Sequence, residues 1–278
     1  MILSSVVAEA AIINDNCATD QSTQLQEAID SRVGNVILPA GCIAISQPIY
    51  ARDWVSVQGA GRRLTTLKAL PNFQGPALVI IGTALPSDDA SDRDNVYDAM
   101  ISDLFLDVTA APPGTSCAYL AGAQAGSGLQ RDLCNGVRGA TSDAIRVARN
   151  VNRAALRELE IYPATAIRYG ISIDTFCACE LSNITIGVTF PLVVGIHILD
   201  TVFTAHRIHC ELANYCIEID GNNSVAVLAS IDGQTTGTNP GYLLFVGGAS
   251  KVVAQGLAKD SYLHNVRSMW GVVTKRAC

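Results

Sequence analysis

One pattern recurs along the second half of the chain and restricts the fold more than any other feature. Gly170-Ile171-Ser172-Ile173-Asp174, Gly195-Ile196-His197-Ile198-Leu199-Asp200 and Cys216-Ile217-Glu218-Ile219-Asp220 share one apolar alternation that ends in aspartate. Ala144-Ile145-Arg146-Val147 is an earlier copy, and successive copies step by 26, 25 and 21 residues. A second element interleaves with the first: Leu156-x-x-Leu159-x-Ile161, Leu181-x-x-Ile184-x-Ile186 and Ala205-x-x-Ile208-x-Cys210, stepping by 25 and 24 residues. Two short strands per repeat at this period are what a stacked solenoid requires. Helical repeats carry a 3.6-residue pattern that these segments lack. The alternation also sets direction: Ile171 and Ile173 face inward, while Ser172 and Asp174 face outward or turn.

A solenoid explains how 278 residues that are 49% apolar and only 16% charged can fold as one body, because each coil buries its apolar face on its neighbours. The net charge of −6, with 19 scattered basic residues, excludes a nucleic-acid grip built from clustered Lys and Arg. The adjacent pairs Arg62–Arg63 and Lys275–Arg276 read as solvated positions. No apolar run approaches the roughly 20 residues needed to cross a bilayer, so no membrane insertion is expected. Met1 to Ile13 is apolar but contains Glu9 and lacks a basic start, which fits an arm (residues 1–14) better than a signal peptide.

The segment from Asp15 to Leu70 begins with a helix and continues in short strands. Asp20, Ser22 and Thr23 offer N-cap oxygens; Leu25, Ala28, Ile29 and Val33 share one helical face; Gly34 stops the helix, giving a cap over about 20–33. Strands at 35–38, 42–46 and 55–58 follow, the last ending at Gly59-Ala60-Gly61. These glycines precede a strand and lack the third glycine of a dinucleotide loop. The order of Thr19-Asp20, Leu25-Gln26-x-Ala28-Ile29, Val36-Ile37-Leu38-Pro39-Ala40-Gly41 and Val57-x-Gly59-x-Gly61 resembles the start of the pectate-lyase-like superfamily, which includes polysaccharide lyases, hydrolases and phage tailspikes. The resemblance covers about a fifth of the chain. It implies an all-β fold, a right-handed parallel β-helix over 15–278 with a short N-terminal capping α-helix. It carries over no enzyme subclass: the Asn-Thr-Asp, Asp-Asp, Gly-His-Gly and Arg-x-Lys series of family polygalacturonases does not occur here in that order.

Three stretches break the rhythm and are expected as loops thrown out from the coils: 83–99, 107–142 and 233–241. Nine cysteines at irregular spacing show no zinc-ligand pattern, and most read as reduced core residues of a protein assembled in a cytoplasm.

Candidate chemistry rests on acids and histidines placed by the repeat. Asp174, Asp200 and Asp220 end the same strand in successive coils, with Glu180 and Glu211 a few residues later. Adjacent coils lie about 4.8 Å apart, so stacked outward acids reach the roughly 5–10 Å separation of a glycosidase pair. Asp174, Asp200, Asp220 and Glu211 are therefore the catalytic candidates, although aspartate is also a common turn residue. His197, His206 and His209 fall within thirteen positions and could serve as acid or base. Asp88, Asp89, Asp92, Asp94 and Asp98 form an acidic loop without the glycine and terminal glutamate of a calcium-binding hand. No cofactor and no metal site are expected.

Together these features favour a phage virion surface protein of tailspike or receptor-binding type. It is expected as a homotrimer that docks on other virion proteins and binds or degrades a host-surface glycan. A secreted polysaccharide lyase or glycoside hydrolase and a non-enzymatic capsid decoration protein are the alternatives, since fold does not fix function.

Overall fold

Inward-facing isoleucines, stacked coil on coil, form the spine of the computed structural model, a single parallel β-solenoid of about seven turns with one short helix. It describes residues 16–31, 34–82, 95–148, 151–174, 177–187, 192–211, 213–221, 224–234, 242–247, 250–255 and 263–264. Every strand pairing is parallel, as the repeat requires. Ile145 pairs with Ile171, Ile171 with Ile196, and Ile196 with Ile217, and all four are buried. Leu156 likewise stacks on Leu181 and Leu181 on Ala205, while Ile184 stacks on Ile208.

The coils lay down two sheets. One holds nine strands, among them Ser116–Leu120, Gly139–Val147, Ile167–Ile173, Leu192–Leu199, Ala213–Asp220 and Tyr242–Val246. The other holds fourteen, and early coils cross it as two short strands, such as Ala155–Arg157 and Glu160–Tyr162. Later coils cross it as one long strand, such as Cys179–Ile186 or Val202–Glu211. From the coil of Met100–Ser102 to that of Val225–Gln234, the bend between the two halves is marked by a left-handed, non-glycine residue: Asp103, Arg131, Glu158, Asn183, Arg207 and Ser230. These stand 28, 27, 25, 24 and 23 residues apart, and Glu158, Asn183 and Arg207 are the second x of the Leu-x-x-Leu element. Contacts between coils hold the bend: the Arg131 guanidinium donates two hydrogen bonds to Asp103 (2.7 and 2.8 Å), and the Glu158 N–H donates to the Ser182 carbonyl.

The helix spans Ser22–Asp30 and buries Leu25, Ala28 and Ile29 against the first coil. Gln21 is the N-cap and no side-chain cap hydrogen bond forms; just ahead of it the Asp20 carboxylate accepts from the Ser22 N–H and from the Ser46 N–H and hydroxyl, so one side chain ties the helix start to the coil beneath. The helix ends at Asp30, and Gly34 starts the next strand rather than stopping the helix. Val33 and the arm 1–14 lie outside the described residues.

The stretch 107–142, expected as a loop, is instead regular coil. It contains Ser116–Leu120, Gly128–Gln130, Leu133–Asn135 and the start of Gly139–Val147. Its glycines and alanines are small because coils approach closely there, and Ala121, Ala123 and Ser127 are buried. Of 83–99, residues 95–99 join the stack through a bridge from Val96 to Ala123. Residues 83–94 and 235–241 lie outside the described residues.

The cysteines also depart from expectation. Disulfides pair Cys17 with Cys42, Cys117 with Cys134, Cys177 with Cys179 and Cys210 with Cys216, with Cα–Cα separations of 5.0, 5.7, 5.0 and 5.5 Å. All four separations lie within disulfide reach. Cys117–Cys134 and Cys210–Cys216 join where the chain folds back within a coil, whereas Cys17–Cys42 ties the segment before the helix to the first coil and Cys177–Cys179 are two residues apart. Nine cysteines less eight paired leave Cys278, so thiol titration of unreduced, denatured protein should find about one free thiol per chain. A count near nine would contradict the pairing.

One inward slot is anomalous. The register places Asp132 in a column with Leu104, Leu159 and Ile184. Asp132 is 2% exposed; its Oδ1 accepts from the Leu104 N–H at 2.9 Å, and its Oδ2 has no partner. Burial pushes its carboxyl well above the ordinary carboxylate range, outweighing the backbone hydrogen bonds it accepts. The native state therefore holds this proton more tightly than the unfolded chain, and stability falls as pH rises between the ordinary and the raised value. Asp132→Asn is expected to raise the melting temperature at high pH, worth about 1–3 kcal/mol, with the advantage fading as pH drops through that window. An advantage independent of pH would show that the fold does not shift this carboxyl away from its value in the unfolded chain.

Candidate functional site

The outer face of the nine-stranded sheet gathers charge and aromatic surface into one strip. Arg146, Ser172, His197 and Glu218 occupy the same outward position of four successive coils, each paired in register with the next. Neighbouring positions contribute Asp174 and Asp220, which flank the histidine. His197 Nδ1 lies 3.7 Å from Asp174 Oδ1, and Nε2 lies 3.6 Å from Asp220 Oδ2. Tyr169 stacks flat on the imidazole, with ring centroids 4.3 Å apart at 4°. Arg168 lies over Tyr169 at 4.7 Å while holding Asp143 through two hydrogen bonds, and Arg146 stands 3.7 Å from Asp174.

Burial and charge pull these groups in opposite directions. Burial pushes the His197 imidazolium down, but Asp174, Glu218 and Asp220 outweigh it and hold the ring above its ordinary value. Burial would raise Asp174, yet His197, Ser172 and Arg146 bring it below the ordinary range. Glu218 has no such compensation: burial and the neighbouring Asp220 charge raise it despite His197. A low acid, a high acid and a histidine on one face are a combination found at functional sites.

The sequence candidates divide. Asp174 and Asp220 meet at His197, but Asp200 does not join them. Ile198 pairs with Ile173 and with Ile219, so Leu199 takes the slot between the two aspartates and pairs with Asp220. The extra residue in that copy of the repeat displaces Asp200 into a left-handed turn. Glu211 lies on the other sheet, where its carboxylate and that of Asp232 flank His209 at 3.3 and 3.0 Å. His206 is on that sheet too, beside Ser182 and Ala229. Glu180 is bound by Arg157 at 2.6 Å. Asp88, Asp89, Asp92 and Asp94 lie outside the described residues. Arg62 and Arg63 are not simply solvated, because both pair with Glu160 three coils away, at 2.7 and 3.1 Å.

Sequence reasoning missed Tyr169, Arg146, Arg168, Asp143 and Glu218. The signal for two of them was present in the outward residue between the paired apolar positions, which reads Arg146, Ser172, His197, Glu218 down the coils. Tyr169 and Arg168 precede the repeat and lie just past a register shift: Gly139 pairs with Ile167, but Asp143 pairs with Tyr169, so four residues on one strand span two on the next.

Fold and strip together define a parallel β-helix that displays a polar, aromatic-backed surface along one sheet. The chain belongs to the rhamnogalacturonase A/epimerase, pectate lyase-like family, whose model matches residues 7–188. No curated protein matches it. Among solved structures it is similar to ORF18 of Geobacillus virus E2, with 12% identity over 93% of this chain and a TM-score of 0.52. It spans 57% of that protein's length. It is also similar to PfbA, a surface adhesin of Streptococcus pneumoniae, with 10% identity, 96% of this chain, 78% of that one and a TM-score of 0.51. The enzymatically active domain of bacteriophage CBA120 tailspike protein 2 matches at 14% identity over 92% of this chain and 41% of that one, with a TM-score of 0.47.

Proposed function

We propose that this chain is a phage virion surface protein, of tailspike or receptor-binding type, that binds a host-surface glycan on the strip centred on His197. The observation that carries this reading is the strip itself. Hydrogen-bonding groups of both signs flank the partly buried Tyr169–His197 stack, on a rigid sheet. Sugar hydroxyls need such donors and acceptors, and a rigid scaffold lowers the entropy cost of binding. The fold shared with a viral protein and a bacterial surface adhesin agrees with an exterior, surface-binding role. The disulfides agree with life outside a reducing cytoplasm, as on a released virion.

A secreted polysaccharide lyase or hydrolase is the second reading. It is favoured by the same disulfides and by the unlike acids Asp174 and Glu218. The two readings differ in assembly, since we infer a homotrimer for the virion protein. Light scattering is expected to give three times 29.3 kDa, with resistance to unheated SDS. A monomer that releases reducing ends from a polysaccharide would overturn the virion reading in favour of the enzyme.

A further inference from the structure

The side chains around His197 are spaced too widely to satisfy one another. The imidazole is nine-tenths buried, and its Nδ1 has no hydrogen-bond partner. The carboxylate oxygens facing its two nitrogens stand 3.7 and 3.6 Å away, beyond a hydrogen bond. On one side of the ring, a nitrogen of His197 and carboxylate oxygens of Glu218 and Asp220 all lie within 4.8 Å of one another. Two partly buried carboxylates so close repel each other. The nearby guanidinium groups face other acids, Arg146 toward Asp174 and Arg168 onto Asp143.

The same spacing suits donors that share an ion. Oxygens and nitrogens each about 2.0–2.2 Å from a tetrahedral metal stand roughly 3.3–3.5 Å apart, so small rotamer shifts bring these three together. The position of Asp174 fits as well: a metal-bound histidine commonly directs its other N–H at a carboxylate, which fixes the ring. One imidazole with two carboxylates suits a first-row transition ion better than calcium, which prefers oxygen alone.

We propose that His197, Glu218 and Asp220 bind a divalent transition-metal ion of the Zn²⁺ or Mn²⁺ type, with Asp174 orienting the imidazole from behind. The site shares its face with the proposed glycan contact but does not depend on that reading. The competing arrangement is a proton in place of the metal, with the imidazolium held between Asp174 and Asp220.

The test uses full-length protein without a histidine tag, stripped with EDTA and titrated near neutral pH with Zn²⁺, Mn²⁺ and Ca²⁺, in the absence of glycan. One ion per chain is expected for Zn²⁺ and Mn²⁺, bound at least about ten-fold more tightly than Ca²⁺. His197→Ala and Glu218→Gln should each weaken binding by about ten-fold or more, and Asp174→Asn by roughly 10–100-fold through the imidazole. The Mn²⁺ electron paramagnetic resonance spectrum should revert toward the aqueous ion in His197→Ala, a change that a purely structural role would not produce. Melting curves in EDTA confirm that the variants fold, and His209→Ala controls for the cluster on the other sheet. Absence of stoichiometric binding, equal affinity for Ca²⁺, or loss in His209→Ala with retention in His197→Ala overturns the proposal. Glycan binding that survives in EDTA beside any of those results leaves the glycan reading intact.

Discussion

Gly128→Ala is expected to destabilise the solenoid by at least about 3 kcal/mol, lowering the thermal midpoint sharply. Gly128 lies in register between Met100 of one coil and Ala155 of the next. A Cβ there would sit 1.9 Å from the Ala155 carbonyl oxygen, at a φ of +151° that side chains rarely adopt. The obstacle is backbone of the next coil, so no rotamer change relieves it. Gly34→Ala is the control: its φ is +111°, but nothing lies within 4 Å of the added carbon. That variant should lose only the backbone penalty of about 1–2 kcal/mol. Equal losses at the two positions would show that the coils do not approach at Gly128 as described.

Phe203→Ala should rank next, at about 3–5 kcal/mol. Phe203 is among the largest fully buried side chains and stacks between Cys179 and Ala226 of the adjacent coils. Neither small neighbour can fill the cavity. Because each coil contacts only its neighbours, the loss should concentrate in the C-terminal coils and appear as early loss of hydrogen-exchange protection there. A loss below about 1 kcal/mol, or protection falling evenly along the chain, would contradict the packing.

These two positions illustrate what the sequence made legible. The isoleucine columns follow directly from the repeat, since an alternating strand that recurs at coil length has only one register that buries its apolar side. Phe203 belongs to the strand that holds Ala205-x-x-Ile208 and could be placed by parity. Gly128 could not, because in sequence a glycine that permits close approach looks like a glycine that loosens a loop; residues 107–142 misled for that reason. Asp132 was equally opaque, as nothing local marks an aspartate that faces inward. The site was half legible. Asp174, Asp220 and His197 follow from the repeat, whereas one inserted residue, Leu199, removed Asp200 from the column. Glu211 fell on the other sheet because the bend at Arg207 runs inside a single strand. The pairs Cys117–Cys134 and Cys210–Cys216 depend on closure within a coil, which spacing alone does not specify.

The ligand surface proposed for the His197 strip can be checked on an array of bacterial surface polysaccharides. Wild-type protein, Tyr169→Ala on the strip and Thr204→Ala on the outward face of the opposite sheet would be compared on the same array. Binding should be retained in Thr204→Ala and fall by about ten-fold or more in Tyr169→Ala, the scale of removing an aromatic anchor. Binding that survives in Tyr169→Ala and falls in Thr204→Ala would place the ligand on the other sheet and rule out the His197 strip.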